Sequence, residues 1–344
     1  MKRLGEILFG IAVLWLILTG NHASSSARHN KTRLILATAT TGGTYYPVGV
    51  GIATLTTREL EPTHGISMTA ISSAGSGENI QLLKNREADL AIIQSLFGAM
   101  AWQGSGRYKG DTQAFLRSVT VLWDNVEHFV IRAKYAKTGD MTDMQELRRK
   151  NFSIGRRGSG TEMSGRVILE ALHFRPESDF RLKYMGYSPS AQALQNGRLA
   201  GMNIPAGPPA SAIIQAIAAL GVEGIRILEF SDVQLEAVNR TYPVWRRAVL
   251  KAGTYPGQEH EIRTISQPNI LVVHQEVPSE VVYALVKNLF THLSYLRQVH
   301  QAAASMAPER AVTGLSLPLH TGAVRLYREM GLEVPDHLLR IPET

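Results

Sequence analysis

The chain has 344 residues, a formal net charge of +7 and no cysteine. The missing cysteines exclude disulfides, thiol chemistry and a cysteine-borne lipid anchor, so stability must come from a large apolar core, which this length can bury. Its 36 basic and 29 acidic residues are interspersed, with no basic block interleaved with aromatics. That argues against nucleic-acid binding and leaves small anions or an anionic surface as what the surplus attracts.

Lys2 and Arg3 precede an apolar run over 7–18, and small and polar residues fill 19–27. This is the layout of a secretory signal peptide, and the run is too short for a membrane span, which needs roughly 20 residues. Cleavage is expected after Ala27, with Ala23 as the alternative, so 1–27 is read as a signal peptide and the mature chain as soluble and periplasmic.

The next segments alternate. Strands are expected at 33–40, 66–71 and 88–93, and helices at 45–60 and 78–85. Two strand patterns follow at 119–122 and 128–132, separated by 123–127. A strand at 152–155 leads to a helix at 161–173, and a helix at 191–196 to a strand at 199–204. An apolar helix fits 210–220, and strands fit 225–228 and 269–274. Residues 278–296 carry apolar residues at helical spacing, and 321–330 form a last helix closed by Gly331. Alternation of this kind predicts α/β architecture with mostly parallel sheets, whose ligands sit outside the carboxyl ends of the strands.

Three glycine-bearing turns fall at those ends: Gly42-Gly43-Thr44-Tyr45, Gly75-Ser76-Gly77-Glu78-Asn79 and Gly158-Ser159-Gly160-Thr161. Each joins a strand pattern to a helix start, where backbone N–H groups lack intrahelical partners and the helix dipole is positive. Glycine permits close approach to the backbone, and Ser and Thr add hydroxyls. Such turns suit a small carboxylate.

The string 42–48, the 75–79 turn, Ala88 to Ser95, the 158–162 turn, Thr254 to Gly257 and Pro318-Leu319-His320 occur in a fixed order. This order resembles the TAXI class of solute-binding proteins, the extracytoplasmic receptors of tripartite ATP-independent periplasmic (TRAP) transporters. The resemblance covers about residues 33 to 333. It implies a two-lobed periplasmic binding protein of type II-like topology, with hinge strands and a central cleft. Lobe 1 would comprise 33–125, lobe 2 126–262, and 263–344 would supply a hinge strand and the rest of lobe 1. It also implies a small carboxylated ligand such as glutamate, glutamine or 2-oxoglutarate, and a TRAP membrane permease as partner. A monomer without a cofactor is expected.

Ligand contacts are expected from Gly43, Thr44, Tyr45, Gly75, Ser76, Glu78 and Asn79 on one side. Arg156, Arg157, Ser159, Gly160 and Thr161 are expected opposite them. Gln94 and Ser95 would end a strand at the cleft, Gly207 and Pro208 would shape its wall, and Trp123 or Tyr255 would cover an apolar stem. Arg156 and Arg157 stand where the class usually has small residues and offer forks for a second carboxylate. Leu96 stands where the class often has an Asp, which disfavours an α-ammonium group. Pro209 replaces a common Thr, and Trp123 a common Tyr.

Enzymatic signatures do not emerge. There is no Gly-x-Ser-x-Gly elbow, no phosphate-binding loop with lysine and no His-Glu-x-x-His pair. Glu127 and His128 are adjacent, but strand neighbours point to opposite faces. A binding receptor is therefore expected. The alternative is an exported sensor using the same fold to signal to a membrane histidine kinase.

Overall fold

A computed structural model describes residues 31–339. The expected signal peptide lies outside the described residues. None of the described helices is long and apolar enough to cross a membrane.

Two mixed sheets organise the chain. The first holds β1 (Thr32–Ala37), β2 (Ile66–Ile71), β3 (Leu90–Gln94), β4 (Leu116–Val126), β10 (Arg246–Leu250) and β11 (Ile262–His274). Its order is β10-β11-β3-β1-β2, with β4 on the other edge of β11. The second holds β5 (Phe129–Arg132), β6 (Asn151–Ser153), β7 (Arg181–Lys183), β8 (Gly201–Asn203) and β9 (Ile225–Ile227), ordered β7-β6-β8-β5-β9.

Strands β1, β2 and β3 are parallel because helices Tyr45–His64 and Ser76–Lys84 make the crossovers. The central strand β3 is buried along its whole length, the continuous apolar run that a doubly covered sheet requires. Leu90, Ile92 and Ile93 each contribute about 1.5–3 kcal/mol of burial. Val48, Ile52 and Leu55 form the buried stripe of the first helix, and Gly65 ends that helix in the left-handed conformation. A second cluster around Val130, Leu194, Met202, Ile204, Ile213 and Ile227 supports the second sheet.

The chain passes from one sheet to the other through Glu127-His128, between β4 and β5. Val126 also bridges to Ala206, and Glu127 N–H donates to the Ile265 carbonyl at 2.9 Å. The return path reaches β10, which pairs with β11 in the first sheet, while Tyr255 beyond it packs in the second cluster.

Several expected boundaries shift. The patterns at 119–122 and 269–274 are parts of much longer strands, β4 and β11, which pair with each other from Leu116–His274 to Val126–Ser266. The single helix expected at 278–296 is two, Ser279–Thr291 and Leu293–Val299, broken at His292. Helix Ser95–Gln103, where no element was expected, follows β3 directly; its apolar sequence has no polar face to mark a helical period.

Candidate functional site

The carboxyl ends of β1, β2, β3, β6, β7 and β8 converge on one cavity of about 440 Å³, part of it open to solvent. Its walls come from both sheets. Gly43, Thr44, Tyr45, Gly75, Ser76 and Gln94 line the first side, and Arg156, Ser159, Gly160 and Thr161 the second. Helices Tyr45–His64, Ser76–Lys84 and Gly160–Ala171 all begin at this cavity. Their first-turn N–H groups have no intrahelical partners and so offer donors to an anion.

A fourth helix start was not anticipated. Gly186 and Tyr187 line the cavity at the beginning of helix Tyr187–Gln195. Strand β7 before it has only three residues, too few for a readable alternation, but the Gly-Tyr-Ser-Pro string at 186–189 carries the same turn chemistry as the other three. Asn125 also lines the cavity and was read as part of a connection. In the structure it lies on β4, opposite Gln267 of β11.

Hydrogen-bond direction fixes what the walls present. Thr44 donates its hydroxyl to the Gly207 carbonyl at 2.7 Å, and buried Tyr45 donates to Asn269 Oδ1 at 2.5 Å. Burial raises the Tyr45 pKa well above a free phenol, which keeps it a donor. Tyr187 donates to the Pro205 carbonyl at 2.7 Å, so Thr161, 2.7 Å away, must donate to the Tyr187 oxygen. Ser76 Oγ accepts from the Gln94 N–H at 3.0 Å, and Ser159 Oγ from the Glu162 N–H at 3.0 Å. Each serine oxygen is the acceptor in these bonds, so its own proton can be turned towards a ligand. The buried atoms Gln94 Oε1, Asn125 Oδ1 and Asn125 Nδ2 have no hydrogen-bond partner among the described residues. Arg156 supplies an exposed cation at the rim.

The remaining expected contacts do not line the cavity. Glu78 accepts from the Ala74 N–H at 2.7 Å and serves its own turn. Asn79 is fully buried and donates to the Thr38 and Ile92 carbonyls, tying β1 to β3. Ser95 faces Gln267. Arg157 stacks on the Tyr184 ring, 3.7 Å from its centroid, and points away from the cavity lining. Trp123 is buried edge-on against Tyr45 and lies behind the wall. Gly207 offers its carbonyl to Thr44 rather than to the cavity, and neither it nor Pro208 lines the space.

Tyr255 has a different task. His128 Nδ1 lies 3.0 Å from the Ile204 carbonyl and must donate to it, so Nε2 accepts from the Tyr255 hydroxyl at 2.9 Å. Burial pushes the His128 pKa down to about 4, so the ring is neutral at neutral pH. Glu127, on the other face, is pushed up to about 7 by burial, against the lowering effect of Asn203, which donates to it at 3.2 Å.

The two sides touch. A Cβ on Gly160 would lie 2.7 Å from Ser76 Oγ and 2.8 Å from the Gln94 side chain. The Ala212 N–H donates across to the Gly42 carbonyl at 3.1 Å. The cleft is therefore closed in this structure. Among the described residues there is no cluster of His, Asp or Glu able to hold a metal ion.

Comparison with solved structures places this architecture. MatC from Rhodopseudomonas palustris with bound malate aligns with a TM-score of 0.53 at 16% identity, covering 87% of this chain and 97% of that one. The periplasmic binding protein BugD aligns with a TM-score of 0.50 at 13% identity, covering 88% and 98%. Identities this low establish the fold, that of two-lobed periplasmic binding proteins, and leave the ligand open. Residues 36–331 match the model of the NMT1-like family, and the chain belongs to that family.

Proposed function

We propose that the protein is an extracytoplasmic receptor that closes its two lobes around a small carboxylate, a dicarboxylate such as 2-oxoglutarate or glutamate, and performs no chemistry on it. The observation that carries this reading is the cavity itself. Unpaired helix-start N–H groups from both sheets, two serine hydroxyls and Arg156 converge on one space. Arg156 at the rim gives a second carboxylate a partner. No carboxylate side chain lines the space, which argues against an ammonium group and favours 2-oxoglutarate over glutamate. Bound malate in MatC, a protein of this fold, is in keeping with a dicarboxylate.

The ordered motifs that resemble the TAXI class support a TRAP permease as the acceptor of the bound solute, with the periplasm as the place of action. The lobes, in this reading, are 33–125 with 263–344, and 126–262. A thermal-shift panel tests the ligand class. The protein, unfolded and refolded to strip carried solute, is heated with glutamate, glutamine, 2-oxoglutarate, succinate and their neutral amides. A ligand at about 100 times its Kd adds roughly 2.7 kcal/mol, a rise of several degrees. A rise with acids but not with their amides is expected. A rise with the amides alone would overturn the carboxylate reading.

A further inference from the structure

At the other end of the second sheet, where β6 and β8 begin, a separate recess of about 530 Å³ opens to solvent. Arg132, Lys134, Lys150 and Arg198 line it together with Tyr135. We propose that this recess binds a phosphoryl group.

Four cations from three separate segments (132–134, Lys150 and Arg198) converge here, and no carboxylate lines the recess. None of the four forms an ion pair among the described residues, although other arginines and lysines of the chain do. Like charges held around one concavity repel, and the concave shape concentrates their field. A multivalent anion relieves that repulsion; a single carboxylate relieves only part of it.

The cations are also held in place. Lys134 Nζ and Lys150 Nζ each sit 5.1 Å from the Tyr135 ring centroid, so both ammonium groups are drawn to one ring beside the recess. Arg132 Nη1 donates to the Leu194 carbonyl at 3.3 Å, which orients the guanidinium while leaving further N–H groups free. A phosphoryl group, with one or two negative charges and two or three non-bridging acceptor oxygens, matches guanidinium forks flanked by ammonium groups. Only elements of the second sheet build this recess, so it does not depend on lobe closure or on the solute proposed above.

The phosphoryl could belong to free phosphate or to a lipid headgroup, and one experiment separates them. Inorganic phosphate is titrated calorimetrically into wild-type protein and into Lys134→Glu, Arg198→Glu and Arg156→Ala variants at low salt. Lys134 and Arg198 are exposed and carry no side-chain hydrogen bond, and reversing either charge relieves repulsion, so their replacement should not lower the melting midpoint. Saturable binding is expected in the wild type and in Arg156→Ala, weakened at least about tenfold by either charge reversal. Co-sedimentation with phosphatidylglycerol and phosphatidylcholine vesicles then assigns the source. Capture by phosphatidylglycerol that is lost on charge reversal assigns the phosphoryl to lipid; no such difference, with phosphate binding retained, assigns it to the free anion. Failure of phosphate to saturate the wild type, or unchanged binding in both charge-reversal variants, would overturn the proposal.

Discussion

Gly77 and Gly158 meet backbone to backbone across the cleft: a Cβ on Gly77 would lie 2.3 Å from the Gly158 carbonyl oxygen. Gly77 sits in the first turn of helix Ser76–Lys84, a position where alanine is otherwise a better helix former. The same Cβ would lie 3.1 Å from the Phe97 ring, which must shift by a few tenths of an ångström, so Gly77→Ala should strain the open form only slightly and exclude the closed one. Solute affinity is expected to fall at least about tenfold, with only a small change in the melting midpoint of the solute-free protein. Titration calorimetry and a thermal melt on the same variant check both halves.

The two arginines of the third turn should behave differently. Arg156 lines the cavity, whereas Arg157 stacks on Tyr184. Arg156→Ala is expected to weaken dicarboxylate binding by about 1.5–3 kcal/mol, the range of a hydrogen bond to a charged group. Arg157→Ala should change it by less than about 0.5 kcal/mol. Equal losses in the two variants would show that the stack at Tyr184 matters to binding.

Tyr45→Phe removes the donor to Asn269 and leaves a buried amide oxygen unpaired. Asn269 Nδ2 already lacks a partner among the described residues, so the amide cannot easily compensate. A stability loss of about 1–3 kcal/mol is expected in denaturant unfolding.

Glu127 and His128 give opposing pH terms at the crossing between the sheets. Burial raises Glu127 from its ordinary 4.5 to about 7, so its contribution is present below the unfolded value and is lost as pH rises towards 7. Burial lowers His128 from 6.5 to about 4, so its contribution is present above 6.5 and is lost as pH falls towards 4. Between 4.5 and 6.5 the two slopes cancel. Glu127→Gln should unmask the histidine term, so that stability rises with pH across that window, where the two opposing terms offset each other in the wild type. Urea unfolding at a series of pH values reads this directly.

Much of the cavity was legible because its chemistry is local. The turns at 43–45, 75–76 and 159–161 announce themselves by glycine beside hydroxyl residues before a helix, and all of them line the space. What escaped depends on tertiary placement. Nothing in the order Glu78-Asn79 distinguishes a side chain that caps its own turn or bonds a neighbouring strand from one that meets a ligand. Asn125 looked like loop because Asp124 and Asn125 interrupt the apolar pattern of β4; they do so near the strand's end, where Asn125 lines the cavity. The closed contact between Gly77 and Gly158 joins residues far apart in sequence, beyond any local pattern.

Calorimetric titration of stripped protein with 2-oxoglutarate, glutamate and succinate, run beside the Gly77→Ala variant, tests lobe closure on a small carboxylate most directly. Saturable binding of at least one of these acids by the wild type, weakened at least about tenfold in the variant, is the expected result. No saturable binding of any of them, or equal affinity in wild type and Gly77→Ala, would contradict it.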